Sequence, residues 1–196
     1  MTSIGRLTGA TGQGWFTWPV GTTGSAMLEV AAAFATNRPA IDNVSVAVVS
    51  LDAQAVGLSA LLASIWAPLA ADGVVVASWW AGVMAPDADG RLRSAARFQR
   101  LVENRRMDGD VTIIEQQVLG GLSPSCDSFG VAELCGGDPG TEPFMRVQVG
   151  YFPTWTDERA LLQATCPLPN FWDEFIDDVA ALASTIILHP TEDRGA

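Results

Sequence analysis

Residues 170–188 carry Phe171, Phe175, Val179, Leu182 and Ile186 at helical spacing, with Trp172, Ile176, Ala183 and Ile187 beside them. At about 100° per residue these side chains fall on one half of a helix, and Asp173, Glu174, Asp177 and Asp178 fall on the other. A helix with so wide an apolar face needs a surface to cover, because tertiary packing stabilises most protein helices more than propensity does. Asn170 is the predicted N-cap, and the acids that follow oppose the positive end of the helix dipole.

The surface is predicted to be a sheet. Trp15-Phe16-Thr17-Trp18-Pro19-Val20 reads as a short aromatic strand stopped by Pro19 and the glycines Gly21 and Gly24. Ser25 caps an expected helix bearing Met27, Val30 and Phe34, which Asn37 and Pro39 end. The β-branched run 44–51 reads as a buried strand. Leu58, Leu61, Leu62, Ile65 and Leu69 mark a second helix face, ended near Pro68 and Asp72-Gly73, and 74–84 reads as a strand.

Segment 91–106 holds Arg91, Arg93, Arg97, Arg100, Arg105 and Arg106 and fits a strand or a helix, with the balance toward a strand before a turn at Asp108-Gly109. Residues 112–119 form a further strand, and 144–150 with 159–166 form an antiparallel pair. Residues 120–142 are rich in Gly, Ser and Pro and read as a long loop. The expected class is therefore α+β, a mostly antiparallel sheet covered by helices, with the long C-terminal amphipathic helix packed on it. A flexible segment over 1–14, one α+β domain over 15–188 and a frayed tail over 189–196 complete the layout.

Composition narrows the function classes. With 48% hydrophobic and 17% charged residues the chain is too apolar for global disorder. A net charge of −11 gives no positive field to displace counterions from phosphate, which disfavours nucleic acid as a partner. All 11 basic residues are arginine. The start of the sequence shows no apolar core behind a basic stretch, and no apolar run reaches the roughly 20 residues that span a bilayer, so a cytoplasmic protein without membrane insertion is expected.

The residues suited to chemistry are sparse. The sequence has no lysine for a Schiff base, and its one histidine, His189, lies beside Pro190 near the end, a poor place for a catalytic base. No CxxC accompanies it, so neither a metal nor another cofactor is expected. Gly9-Ala10-Thr11-Gly12-Gln13-Gly14 precedes a strand and lacks a following GK[ST], which argues against a phosphate loop. Asp87/Asp89 and Asp108/Asp110 read as turns. Cys126 and Cys135 are either free thiols or a small disulfide loop.

Surface contacts are the better prospect. Trp155, on the connection that begins at Phe152, suits a contact anchor. Arg93, Arg97 and Arg100 form a basic patch that, with Arg146, could meet a carboxylate, a phosphate or an acidic partner. Asp173/Asp177 and Glu174/Asp178, each one helical turn apart, form an acidic docking face or simply a solvated one. The expected function is non-enzymatic: an accessory protein that binds another protein as adaptor, chaperone or assembly factor, secretion systems being one setting. An acidic immunity protein that neutralises a basic toxin is one alternative. A small-ligand domain built on the arginine cluster is another, and a homodimer is compatible with all three.

A layout is shared with known proteins. Ala70-Ala71-Asp72-Gly73-Val74-Val75, the strands over 146–151 and 161–167, and the acidic closing helix resemble uncharacterised actinobacterial proteins, and the ending is similar to the Mog1/PsbP-type α/β/α sandwich. The resemblance spans about residues 55–188. It implies an accessory or binding domain and carries over no catalytic residue.

Overall fold

The computed structural model describes residues 3–68, 71–84, 94–103, 105, 107–108, 111–120, 122–136 and 142–191. The elements in chain order are β1 (Ile4–Thr8), β2 (Trp15–Pro19), α1 (Gly24–Ala33), α2 (Arg38–Gly57), β3 (Ala60–Trp66), β4 (Ala77–Met84), α3 (Ala95–Glu103), β5 (Met107–Asp108), β6 (Val111–Gly120), β7 (Asp127–Gly136), β8 (Phe144–Phe152), β9 (Arg159–Cys166), α4 (Trp172–Thr185) and β10 (Ile187–Pro190). The class is α+β. Eight strands run in the order β2-β3-β4-β9-β8-β7-β6-β5, and every neighbouring pair is antiparallel.

Side chains alternate across a strand, so the registers assign the two faces. Phe16, Trp18, Ala63 and Ile65 lie on the first face and pack with Val30, Phe34, Val44 and Val48 of α1 and α2. Farther along that face Phe129 and Val131 of β7 meet Phe98 and Val102 of α3. The second face carries Trp79, Leu162, Ala164, Met145, Val147, Val149 and Tyr151, covered by Phe175, Val179, Leu182, Ala183 and Ile186. The C-terminal helix thus packs on the sheet with the predicted stripe inward and Asp173, Glu174 and Asp177 outward.

Several expectations are corrected. The run 44–51 lies inside α2: Asn37 accepts a bond from the Ala40 amide at 3.1 Å, and Pro39 occupies the first turn. Asn37 and Pro39 therefore begin a helix as well as closing the one before, and the cap outweighs the small helical penalty of the valines. Residues 60–66, expected to be helical, form β3. That strand is covered on both faces, which removes the polar alternation by which strands are recognised.

Segment 95–103 is a helix, not the strand toward which the arginines leaned, because Phe98 and Val102, four residues apart, both reach the sheet. Residues 91–93 lie outside the described residues. The loop expected over 120–142 contains β7, which sits between β6 and β8. Glycine suits it there: a Cβ on Gly130 would stand 2.8 Å from the Leu122 side chain.

The ends of the described chain are tied together. β1, in the segment expected to be flexible, pairs with β10, in the segment expected to be helix and frayed tail, and Ile4 and Leu7 join the core. Asn170 does not cap α4; it lies in a 3-10 turn over Pro169–Phe171, and Phe171 holds the cap position without a side-chain bond.

Candidate functional site

The sequence-predicted contact residues do not assemble into one place. Trp155 is 39% exposed between β8 and β9, whereas Phe152 is buried, its ring 5.9 Å from that of Phe98. Arg97 and Arg100 are exposed on α3, over the first face of the sheet, and Asp173 and Asp177 are exposed on α4, over the second. Arg93 lies outside the described residues.

Arg146 points into the protein. Its guanidinium meets the fully buried carboxylate of Glu133, Nε donating to Oε2 at 2.8 Å. Arg105 donates from Nη2 to Glu133 Oε1 at 2.9 Å and to Gln148 Oε1 at 2.8 Å. Gln116 donates to Glu133 Oε1 at 3.1 Å, and Gln148 donates to Gln163 at 2.9 Å. This chain of groups lies beneath α3 and pins it, since Gln116 also donates to the Val102 carbonyl at 2.8 Å. The arginines that converge are therefore Arg105 and Arg146, on an internal carboxylate, and not Arg97 or Arg100.

Of the two readings left for Cys126 and Cys135, the structure has the free thiols. They stand at opposite ends of β7, where an extended strand separates them by about 3.3 Å per residue. Cys166 is buried, and burial pushes its thiol up from the usual range despite a bond to the Leu168 carbonyl. His189 bonds to Thr8 Oγ1 at 3.0 Å and holds β1 on β10. Among the described residues no group of three or more His, Cys, Asp or Glu is placed to hold a metal ion. No described helix is long and apolar enough to cross a membrane.

Two surfaces that the sequence reading did not single out have the character of contact sites. The first is the outer side of α2. Its inward residues are Ala40, Val44, Val48 and Ala55, yet Val46, Val49 and Val56 are 70%, 53% and 56% exposed, with exposed Ala53 among them. The spacing 46, 49, 53, 56 is itself a helical stripe, so α2 is apolar on both sides, and Leu28 on α1 is 75% exposed. A second set of valines at helical spacing within 44–56 was the signal, hidden once the run was read as a strand.

The second is a cleft of about 630 Å³ at one end of β2 and β3, where α1 from one layer and α4 from the other both reach the sheet. Phe16 and Trp66 form part of its wall, with Gln13 and Gly14 ahead of β2, Ala67 and Pro68 behind β3, and the carboxylates of Glu174 and Asp178. Trp66 stacks on Trp15 with ring centroids 5.8 Å apart and receives Phe171 edge-on at 6.0 Å. The Trp15 indole N–H donates to Asp178 Oδ2 at 3.1 Å and so fixes that carboxylate at the rim. The one-turn spacing of Glu174 and Asp178 was visible in sequence, but nothing local placed Trp66 beside them.

No protein-family model matches the chain, and no curated protein matches it significantly.

Proposed function

We propose that the protein is a non-enzymatic, cytosolic accessory protein that binds another protein, as an adaptor, chaperone or assembly factor. The observation that carries this reading is the outer stripe of α2. Val46, Val49 and Val56 are each more than half exposed, so roughly 1 kcal/mol or more per side chain is still to be gained on burial, and Val46 and Val49 lie in the charge-free stretch between Asp42 and Asp52. Aligned exposed apolar residues of this kind mark interaction surfaces more often than a lone exposed leucine does. The resemblance of the order of elements over about residues 55–188 to Mog1/PsbP-type sandwiches implies a binding role of the same kind.

The charge favours one variant of this reading, an immunity protein, because a net charge of −11 steers association toward a basic partner. The experiment is capture from the native host's lysate at low and moderate salt with the wild-type chain and with Val46→Asp/Val49→Asp, read by mass spectrometry with stoichiometry. One stoichiometric partner retained by the wild type and lost by the double variant supports the reading. A basic partner released by moderate salt selects immunity. No stoichiometric partner, or equal capture by both proteins, overturns the role given to α2.

A further inference from the structure

The cleft between α1 and α4 carries a more specific assignment. We infer that it receives the side chain of a basic residue, arginine or lysine, presented by a polypeptide; this rests on the protein-binding reading above and adds the chemistry of the partner. Three observations converge on it.

The cleft has carboxylates and aromatic surface at once. Glu174 and Asp178 lie one turn apart on α4, and Asp178 is held by the Trp15 indole through Oδ2, which leaves Oδ1 to accept from another donor. A guanidinium or ammonium brings several donors and a full positive charge to such a pair. Phe16 and Trp66 supply the apolar wall against which the methylene stem of a long basic side chain packs.

The same wall carries a hydrogen-bond donor. Trp66 is 3% exposed as a residue and lines the cleft, and its indole nitrogen is not one of the buried atoms left without a partner, so the N–H is reached from the cleft. It faces Gly14, where a Cβ would stand 3.2 Å from Nε1, and both residues line the cleft. An N–H on the lining of a cleft can donate to the carbonyl of an incoming peptide. The combination of two carboxylates for a cation and one N–H for a carbonyl fits a basic residue within a chain better than a free amine.

The cleft is also kept open. Gly14 has φ +84°, a conformation that favours glycine, and its carbonyl accepts from the Ala67 amide at 3.0 Å, which extends the β2–β3 ladder along the rim. At about 630 Å³ the volume lies within the range of roughly 300–1,000 Å³ typical of small-ligand pockets.

The test follows the indole N–H resonance of Trp66, assigned by comparison with Trp66→Phe, while N-acetyl-arginine methylamide, the norleucine analogue and ethylguanidinium are titrated separately. The expected result is a saturable shift with the arginine derivative in the millimolar range, weaker binding of ethylguanidinium, and none of norleucine. Glu174→Gln, an exposed position whose change leaves the core intact, should weaken arginine binding roughly fivefold, and so should added salt. Absence of a saturable shift, equal binding of the norleucine derivative, or full affinity in Glu174→Gln overturns the cation site. Equal affinity for ethylguanidinium overturns the peptide part. None of these readouts involves Val46 or Val49, so failure here is separable from failure of the α2 surface.

Discussion

Glu133 and Arg146 stand directly opposite each other on β7 and β8, and the carboxylate of the first accepts from the guanidinium of the second at 2.8 Å in a place where Glu133 has no exposure. The pair is the inner end of a polar chain that reaches the surface through Arg105, whose side chain is 21% exposed. The ion pair is the one oppositely charged pair among the β7–β8 partners, so it marks one register among several and holds the strand on which α3 sits. A slip by one residue would turn Glu133 toward Met145 and Val147 on the α4 face, where no described residue of the core is an arginine.

Breaking that pair on one side should be expensive. Glu133→Ala leaves Arg146 buried without its carboxylate, and a loss of about 3–5 kcal/mol in unfolding free energy is expected by urea denaturation. Glu133→Leu/Arg146→Met removes both charges and should cost distinctly less than the two single changes added together. Strict additivity would show that the two residues do not act as a pair.

Tyr151 makes stability fall at alkaline pH. Its hydroxyl donates to the Ala183 carbonyl at 3.1 Å, and burial, with the nearby Cys126 adding to it, pushes its ionisation well above the ordinary 10.0. A folded-state value raised above the unfolded one means that the contribution is complete below about pH 10 and declines as pH rises beyond it, since only the unfolded chain then releases the proton. Tyr151 is the one tyrosine in the sequence, so phenolate absorbance reports it alone. The absorbance should rise together with loss of helical circular dichroism, and Tyr151→Phe should show a shallower alkaline decline while losing about 1 kcal/mol at neutral pH. Titration near pH 10 in the intact fold would refute the account.

Thiol labelling separates the three cysteines. Cys126 is half-buried, and Cys135 and Cys166 have no exposure. One thiol should react quickly with a disulfide reagent in the native protein, and all three only on denaturation. The raised thiol of Cys166 slows it further, because the thiolate is the reacting form. A native mass two units below the reduced value would instead reveal a disulfide.

How far the sequence was legible depended on whether an element faced water. α4, with one wet face, was read nearly whole: its stripe and its acids lie where the periodicity put them, although the cap is Phe171 and not Asn170. β8 and β9 were found and correctly paired. β3 and β7, covered on both sides, and α2, apolar on both sides, carry no binary pattern, and these were misassigned. The site was less legible still. Glu174 and Asp178 are neighbours in sequence, but Trp66 joins them only because β3 pairs with β2, a contact closed across 51 residues between Trp15 and Trp66.

One glycine couples that sheet to α2. Gly73 has φ +84° on the connection into β4, and a Cβ there would collide with Ala40 in the first turn of α2. The turn and the helix start are thus in backbone contact, and relief would require α2 to move off the sheet it covers with Val44 and Val48. Gly73→Ala combines the strain of a positive φ, roughly 1–3 kcal/mol, with overpacking of similar size, so a loss of about 2–5 kcal/mol is expected in the urea-derived unfolding free energy. Ala40→Gly removes only one of the colliding atoms, since the Cα of residue 40 would still stand 2.5 Å from the added methyl, so Gly73→Ala/Ala40→Gly should recover little of the loss. If Gly73→Ala unfolds at the wild-type midpoint, the close approach of this turn to α2 is wrong, and with it the seating of the helix that presents Val46 and Val49.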